Sequence, residues 1–316
     1  MTRGRTVPHG AGAGAQGAAS ASSRTGASHA PGTKSDSGYR LLDSGNGRRL
    51  EQVGSIRLIR PAAEAIWRPG LPAQEWERAA GEFVRRPGGE GGWETRTSLP
   101  ESFEISVAGV TMIARLTSFG HIGVFPEQVE SWQRAADLVG RAGRPVSVLC
   151  LFAYTGASTL VCAKAGARVC HVDASKGTVD WARRNAEASG LADRPIRWIV
   201  EDVGKFLSRE ERRGSRYDAI ILDPPTYGRG TRGEMWKIEE HLPGLLDLCR
   251  KVLSDDPLFV LLHGYTAWLP MLSLRNVMED SLAGLSGTFE HGELSVAEEG
   301  RGRRLPRGMF VRFEGR

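Results

Sequence analysis

Three carboxylates, Asp173, Asp202 and Asp223, each close a short apolar run in the middle of the chain, and one glycine turn precedes them. Residues 146–152 (VSVLCLF) read as a buried strand of a parallel sheet. Ala153, Tyr154, Thr155 and Gly156 form the turn after it, and residues 157–166 (ASTLVCAKAG) a helix with a glycine at its C-terminal cap. Residues 168–173 (RVCHVD) give a second strand that ends in an acid. Strand, glycine turn, helix, strand and acid are the outline of a βαβ nucleoside-binding unit. A dinucleotide needs G-x-G-x-x-G so that backbone can approach a pyrophosphate. This turn has only Gly156, and bulky Phe152 and Tyr154 stand where bare backbone would be required. A nucleoside without phosphates, such as S-adenosylmethionine, needs one close backbone approach and a carboxylate for its ribose hydroxyls. Asp173 follows Leu151 by 22 residues, near the ~20 expected of a ribose-binding acid. Standing alone, the unit reads equally well as a structural βαβ with an ordinary turn.

The pieces downstream shift that balance. Residues 198–203 (WIVEDV) are a third strand-like run reaching Asp202, and residues 217–223 (YDAIILD) a fourth. Pro224 and Pro225 then stop the sheet, because proline cannot continue a central ladder. Asp223, fixed by two prolines and followed by Thr226 and Tyr227, stands at the carboxyl edge of the sheet, where α/β folds bind ligands. Simple strand-to-turn punctuation competes less well once all the pieces occur in this order.

With FAYTG at 152–156, the strand end at Asp173, EDV at 201–203 and DPPTYG at 223–228, the chain resembles the class I S-adenosylmethionine-dependent methyltransferases. More narrowly, it is similar to the family around the bacterial large-subunit ribosomal RNA methyltransferases with FxYTG and DPP motifs. The likeness runs from about residue 109 to the C-terminus. It implies an α/β fold with a Rossmann-like, mostly parallel sheet, finished by an antiparallel hairpin that residues 289–294 and 308–313 would form. It also implies S-adenosylmethionine as cofactor and RNA, ribosomal in the resembling family, as substrate. Phe152, Ala153, Tyr154, Thr155 and Gly156 would line the methionine side. Asp173 would bind the ribose, with Ala174 and Ser175 beside it, and Asp202 with Val203 would contact the adenine. Asp223, Pro224 and Pro225 would border the target atom and the methyl group. Phe119 and Gln128 flank a glycine-bearing loop that closes over the cofactor in the resembling family, and are expected contacts; a plain connecting loop is the competing reading.

Methyl transfer from a sulfonium is an in-line displacement, so positioning and electrostatics carry it. An aromatic beside Asp-Pro-Pro can stack on a flat target, and backbone oxygens near the prolines can accept from an amino group. That favours a nucleobase nitrogen, with Tyr227 as the candidate aromatic. Methylating carbon-5 of a pyrimidine needs a cysteine adduct. Relatives with that chemistry carry a cysteine at the end of the fifth strand or after the prolines, where this chain has HGYT at 263–266 and Thr226. Cysteine-dependent cytosine-5 methylation is therefore not expected.

The elements that must position these residues fit within 316 residues of net charge +5 and isoelectric point near 9.2. That length allows one large or two modest domains, and the charge permits a polyanionic partner without requiring one. Residues 1–38, rich in Gly, Ala and Ser, are expected to be a disordered tail, or a transit peptide in which early arginines and absent acids would fit. Residues 39–108 read as a small β-rich domain and residues 109–316 as the methyltransferase domain. No run of 18 apolar residues exists, so no membrane span is expected. Cys150, Cys162, Cys170 and Cys249 lack C-x-x-C pairing and sit in apolar runs, as reduced thiols of an intracellular protein do; neither metal site nor disulfide is expected. The location implied is the cytoplasm, or a plastid or mitochondrion if the tail is a transit peptide. The oligomeric state is left open.

Gly45-Asn46-Gly47 signals a hairpin. Trp67, Trp76, Phe83 and Trp93 recur among arginines, including Arg57, Arg60, Arg68, Arg78, Arg85 and Arg86. They would either present stacking surfaces and charge to single-stranded RNA or form the core of a small lid. Ser175 caps a helix over 176–189, with Val179, Ala182 and Ala186 facing the sheet and Asn185 read as a solvated polar position. Residues 208–215 read as solvated charge, and residues 228–233 as a basic loop suited to a phosphate backbone or to plain mobile surface. The best-supported reading is transfer to a base nitrogen of ribosomal RNA. Methylation of a protein or small molecule, and a non-catalytic cofactor-binding assembly factor, remain alternatives. A nicotinamide-dependent dehydrogenase is disfavoured by the missing glycine fingerprint.

Overall fold

The first strands follow the turn chemistry of the sequence. In the computed structural model, which describes residues 38–85, 91–229 and 235–316, β1 (Tyr39–Gly45) and β2 (Arg48–Val53) are joined through Asn46 and Gly47, both left-handed at φ 51° and 73°. The tail expected at 1–38, except Gly38, together with Arg86 and residues 230–233 of the basic loop, lies outside the described residues. β3 (Ile56–Pro61), helix α1 (Ala73–Glu77), β4 (Gly81–Arg85) and β5 (Gly91–Thr95) complete a five-stranded sheet in sequential order, with only β3 and β4 parallel.

The tryptophans of this segment are packed, which favours the reading of a core over that of rings displayed to RNA. Trp76 and Phe83 are buried. Trp76 Nε1 donates to Asp43 Oδ2 at 3.2 Å, Trp67 Nε1 to the Ser44 carbonyl at 3.0 Å, and Trp93 Nε1 to the Thr117 carbonyl at 2.8 Å. An indole that leaves water needs a partner for its N–H, and each of these has one. The hairpin of β6 (Phe103–Val107) and β7 (Val110–Ala114) turns at Ala108 and Gly109. Its Val107 and Met112 enter one core with Val53 and Leu58 of the N-terminal sheet and with Leu160 and Ala186 from beyond residue 109.

A 3-10 turn (Pro126–Gln128) leads into α2 (Val129–Arg141). There follow β8 (Ser147–Leu151), α3 (Ala157–Lys164), β9 (Arg168–Asp173), α4 (Lys176–Ala188), β10 (Ile196–Val200), α5 (Val203–Arg212) and β11 (Ala219–Leu222). A short hairpin, β12 (Tyr227–Arg229) with β13 (Met235–Lys237), precedes α6 (Ile238–Val252), β14 (Phe259–Gly264) and α7 (Met271–Ser281). The long β15 (Gly287–Ala297) and β16 (Arg304–Gly315) close the chain. The main sheet runs β10-β9-β8-β11-β14-β16-β15; its first five strands are parallel and β16 and β15 antiparallel, as the closing hairpin required. Strand β11, all four residues buried, is covered on both faces and needs no alternation of apolar and polar residues.

The chain leaves β8 in one direction for β9 and β10, then returns to the other side for β11 and β14. That reversal opens a crevice at the carboxyl ends of β8 and β11, the place where doubly wound sheets hold ligands. Residues 208–212, read as solvated, are the last turns of α5, and Glu210 there is buried. It accepts from Tyr217 Oη at 2.9 Å and pairs with Arg197 at 3.2 Å, which makes a charged stretch structural. Among the described residues no helix is long and apolar enough to cross a membrane. Nor, among them, do three or more His, Cys, Asp or Glu side chains gather as a metal would require.

Candidate active site

The turn after β8 is strained. Phe152 and Tyr154 have left-handed backbones (φ 54° and 48°), as does Gly156 (φ 88°), which starts α3. Left-handed aromatic residues are uncommon, and such strain gathers at ligand sites. A Cβ on Gly156 would lie 3.1 Å from Ala182 Cβ, so glycine is what lets α4 come this close. Asp173, at the end of β9, accepts from Tyr154 N at 3.0 Å and Ser175 N at 2.9 Å, which aims the carboxylate across the turn. Burial raises its pKa and these two bonds oppose the rise. Ser175 then caps α4 by accepting from Thr178 N.

Asn185 was read as solvated and is fully buried. Its Nδ2 donates to the Thr155 carbonyl at 2.8 Å and its Oδ1 accepts from Ile113 N at 2.8 Å, so it ties the turn to β7. Its place three residues after Ala182 was the available signal, since residues three and four apart share a helix face. Thr155 Oγ1 donates to the Gly123 carbonyl at 2.5 Å, and Gly123 (φ 89°) leaves no room for a Cβ, which would lie 2.4 Å from Trp181. The loop glycines thus serve close approach, as expected, but the neighbours are protein.

Across the crevice, β11 delivers Asp223 beside Gln128. Gln128 Nε2 donates to Asp223 Oδ2 at 2.8 Å and to Tyr265 Oη at 2.5 Å, while its Oε1 accepts from Trp132 Nε1 at 3.1 Å. Asp223 keeps part of its surface open to the crevice, yet so much protein surrounds it that burial pushes its carboxyl up to about 7; the Gln128 bond opposes this and the Glu127 charge adds to it. Burial also drives the Tyr265 phenol well above its usual range, with Asp223 and Glu127 adding to the rise. Pro224 is buried and Pro225 exposed, and the Pro225 carbonyl accepts from Trp236 Nε1 at 2.6 Å. Trp236 stacks on His241 at 5.4 Å and meets Phe152 at 5.8 Å. Phe125 bridges Tyr154 and Tyr265, at 5.4 and 5.8 Å between ring centroids.

An open cleft results, lined by Gln128, Phe152, Ala153, Tyr154, Thr155, Gly156 and Asp223 among others. Seven expected residues therefore meet around one space. Asp202 caps α5 by accepting from Lys205 N at 3.0 Å, and Val203 is buried behind it; both lie at the end of β10, next to Asp173. Ala174 is exposed, and neither it nor Asp173 is among the cleft's lining. Phe119 is 77% exposed and is not among the cleft's lining, and Tyr227 is 55% exposed on β12. Tyr265, Trp236 and Phe125 had not been singled out for the site. The sequence signal for Tyr265 was its place just past the fifth strand, where it had been weighed only as the absence of cysteine.

The residues fit an adenosyl sulfonium better than a dinucleotide. The turn presents side chains where a pyrophosphate would need bare backbone, and an acid closes β9. No protein-family model matches the chain. The ribosomal RNA large subunit methyltransferase K/L of Stutzerimonas stutzeri is 35% identical over 214 residues, 67% of this chain and 27% of that protein. The ribosomal RNA large subunit methyltransferase K of Neisseria meningitidis is 24% identical over 216 residues, 68% of this chain and 58% of that protein. The chain thus spans about a quarter of the first K/L relatives it matches. Among solved structures, an S-adenosylmethionine-dependent methyltransferase from Agrobacterium tumefaciens superposes with a TM-score of 0.85 at 44% identity, covering 88% of this chain and 91% of that one. A Streptococcus mutans structure, also described as a methyltransferase, gives 0.69 at 18% identity over 88% of this chain and 75% of that one, a likeness of fold alone.

Proposed function

The chain belongs to the S-adenosylmethionine-dependent methyltransferases, and from that premise we propose that it methylates a base nitrogen of RNA, ribosomal RNA in the first instance. The observation that carries this reading is Asp223: a carboxyl pushed up to about 7, held at an aromatic-walled cleft by Gln128, which also donates to Tyr265. The relatives named for ribosomal RNA support the substrate class.

The bound cofactor supplies an electrophilic methyl group on a sulfonium. Phe152 to Gly156 hold its amino-acid side and Asp173 its ribose hydroxyls, while Asp202 and Val203 border the adenine. Tyr227 and Trp236 flank the entrance as stacking surfaces for a flat base. The Pro225 carbonyl already accepts from Trp236, so Asp223 and the Pro224 carbonyl are assigned to the amino hydrogens of the target. Methylation, with the thioether as leaving group, would leave the target nitrogen acidic. Asp223, with a midpoint of about 7, is matched to take up the proton released.

The test is transfer of tritiated methyl to total RNA and total protein from a strain lacking this gene. Label in RNA, lost in Asp223→Asn, is expected. Label in protein alone, or in neither, would overturn the substrate assignment.

A further inference from the structure

The inner face of the N-terminal sheet carries an arrangement of charge that methyl transfer does not use. Arg49 on β2 stands directly opposite Arg60 on β3, and they are only 6% and 3% exposed. Like charges across a strand pair repel, and a buried guanidinium is tolerated when acceptors surround it. Arg60 is fully provided for. Its Nε and Nη2 donate to the two oxygens of buried Glu51 at 2.6 and 2.8 Å, and its Nη1 donates to the Gly120 carbonyl at 3.1 Å.

Arg49 is not. Its Nε lies 3.3 Å from Glu51 Oε1, but neither Nε nor Nη1 has a hydrogen-bond acceptor. Glu51 is already taken by Arg60 and by the Tyr39 hydroxyl at 2.5 Å. Arg307 on β16 adds a third guanidinium to the same field; its Nη1 pairs with Glu64 at 2.8 Å and its Nε has no acceptor. Against these three cations stand Glu51 and Glu64, with Glu127 in electrostatic reach of Arg60.

The cluster is tied to a loop that reaches the cleft wall. Arg60 grips the loop at Gly120, whose neighbour His121 is exposed and lies 5.5 Å from Phe125 in the cleft wall. Desolvation first, then the fields of Arg60, Arg49, Arg307 and Arg85, lower the pKa of His121. Arg307 also acts on Tyr265, the partner of Gln128. A buried guanidinium whose N–H groups lack acceptors, with a second such N–H on Arg307 in the same field, describes an anion site. A guanidinium fork with free N–H groups matches the oxygens of a phosphate.

We propose that Arg49, with Arg307, binds one phosphate group, which the nucleic-acid substrate carries as its target base enters the cleft. The source of that phosphate rests on the RNA reading above; the anion chemistry does not. Contacts of this kind set register without reading sequence.

Two probes separate the two claims: inorganic phosphate at matched ionic strength, read by thermal melting, and a labelled single-stranded RNA 12-mer, read by anisotropy across NaCl concentrations. Phosphate should raise the melting temperature of the wild type and not that of Arg49→Met. RNA binding by Arg49→Met should weaken about tenfold, with the log–log salt slope shallower by about 0.7, while cofactor affinity stays unchanged. Arg307→Gln, on a partly exposed side chain, gives the same slope change if Arg49→Met does not fold. A phosphate response abolished by Arg49→Met, with RNA binding untouched, supports the anion site and assigns it to a phosphate-bearing small molecule, against the RNA reading. RNA that binds with unaltered slope, and no phosphate response, overturns the inference and leaves the RNA reading standing.

Discussion

Replacing Gln128 by methionine keeps the side chain's length and removes the bond to Asp223, together with those to Tyr265 and from Trp132, neither of which touches the carboxylate. A hydrogen bond to a charged group contributes about 1.5–3 kcal/mol, and about 1.4 kcal/mol corresponds to one pKa unit. The donor stabilises only the ionised carboxylate. Its loss should therefore move the Asp223 midpoint upward from about 7 by about one to two units. If the carboxylate is what receives the proton, about half of the wild type is competent at neutral pH, against roughly 1–10% of the variant. Single-turnover methyl transfer at saturating cofactor should then fall about 5- to 50-fold at pH 7 and recover on raising the pH. The assay is the full pH–rate profile. An ascending limb whose midpoint stays put, or moves down, would refute the assignment of that limb to Asp223.

Asp223→Asn should abolish transfer yet stabilise the cofactor-free protein. The folded midpoint of about 7 lies above the ordinary 3.8, so wild-type stability declines as pH rises between those values and levels off above them. The variant lacks this decline and should exceed the wild type by about 2–4 kcal/mol at pH 8, with the gap closing towards pH 4 in denaturant titrations; a gap independent of pH contradicts the buried-charge account. Asp173→Ala should weaken cofactor binding about 10- to 100-fold by calorimetry, and unchanged affinity removes Asp173 from the site. Trp236→Ala frees the Pro225 carbonyl and exposes Phe152; kcat should drop while cofactor affinity holds, and a variant with normal kcat would show that the indole does not steady the Asp-Pro-Pro segment. Gly123→Ala sets a Cβ against Trp181 at a left-handed position, so it should melt earlier and bind cofactor less well, and a neutral outcome would mean the loop gives way.

The half of the site built from local sequence was legible. A buried strand, a glycine turn and an acid at the next strand's end lie within one βαβ unit, and the fold has few ways to arrange them. The other half depends on chain crossings. Gln128 reaches Asp223 and Tyr265 from residues far away in sequence, and nothing local marks Tyr265 as its partner. Asn185 was misread because polarity was weighed above its place on the α4 stripe. The N-terminal tryptophans were ambiguous because burial of an indole depends on a distant acceptor, such as the Thr117 carbonyl for Trp93. Phe119 was selected by its place beside glycines that in fact accommodate Phe83 and Trp181.

The central claim, direct transfer to a base nitrogen, is tested most directly by identifying the modified nucleoside. Large-subunit ribosomal RNA from a strain lacking the gene is incubated with the enzyme and deuterated-methyl cofactor, digested, and resolved by mass spectrometry, with Asp223→Asn as control. The account predicts label in a nucleoside methylated on a base nitrogen and none in the control. Label on a ribose hydroxyl or on a pyrimidine carbon would contradict it.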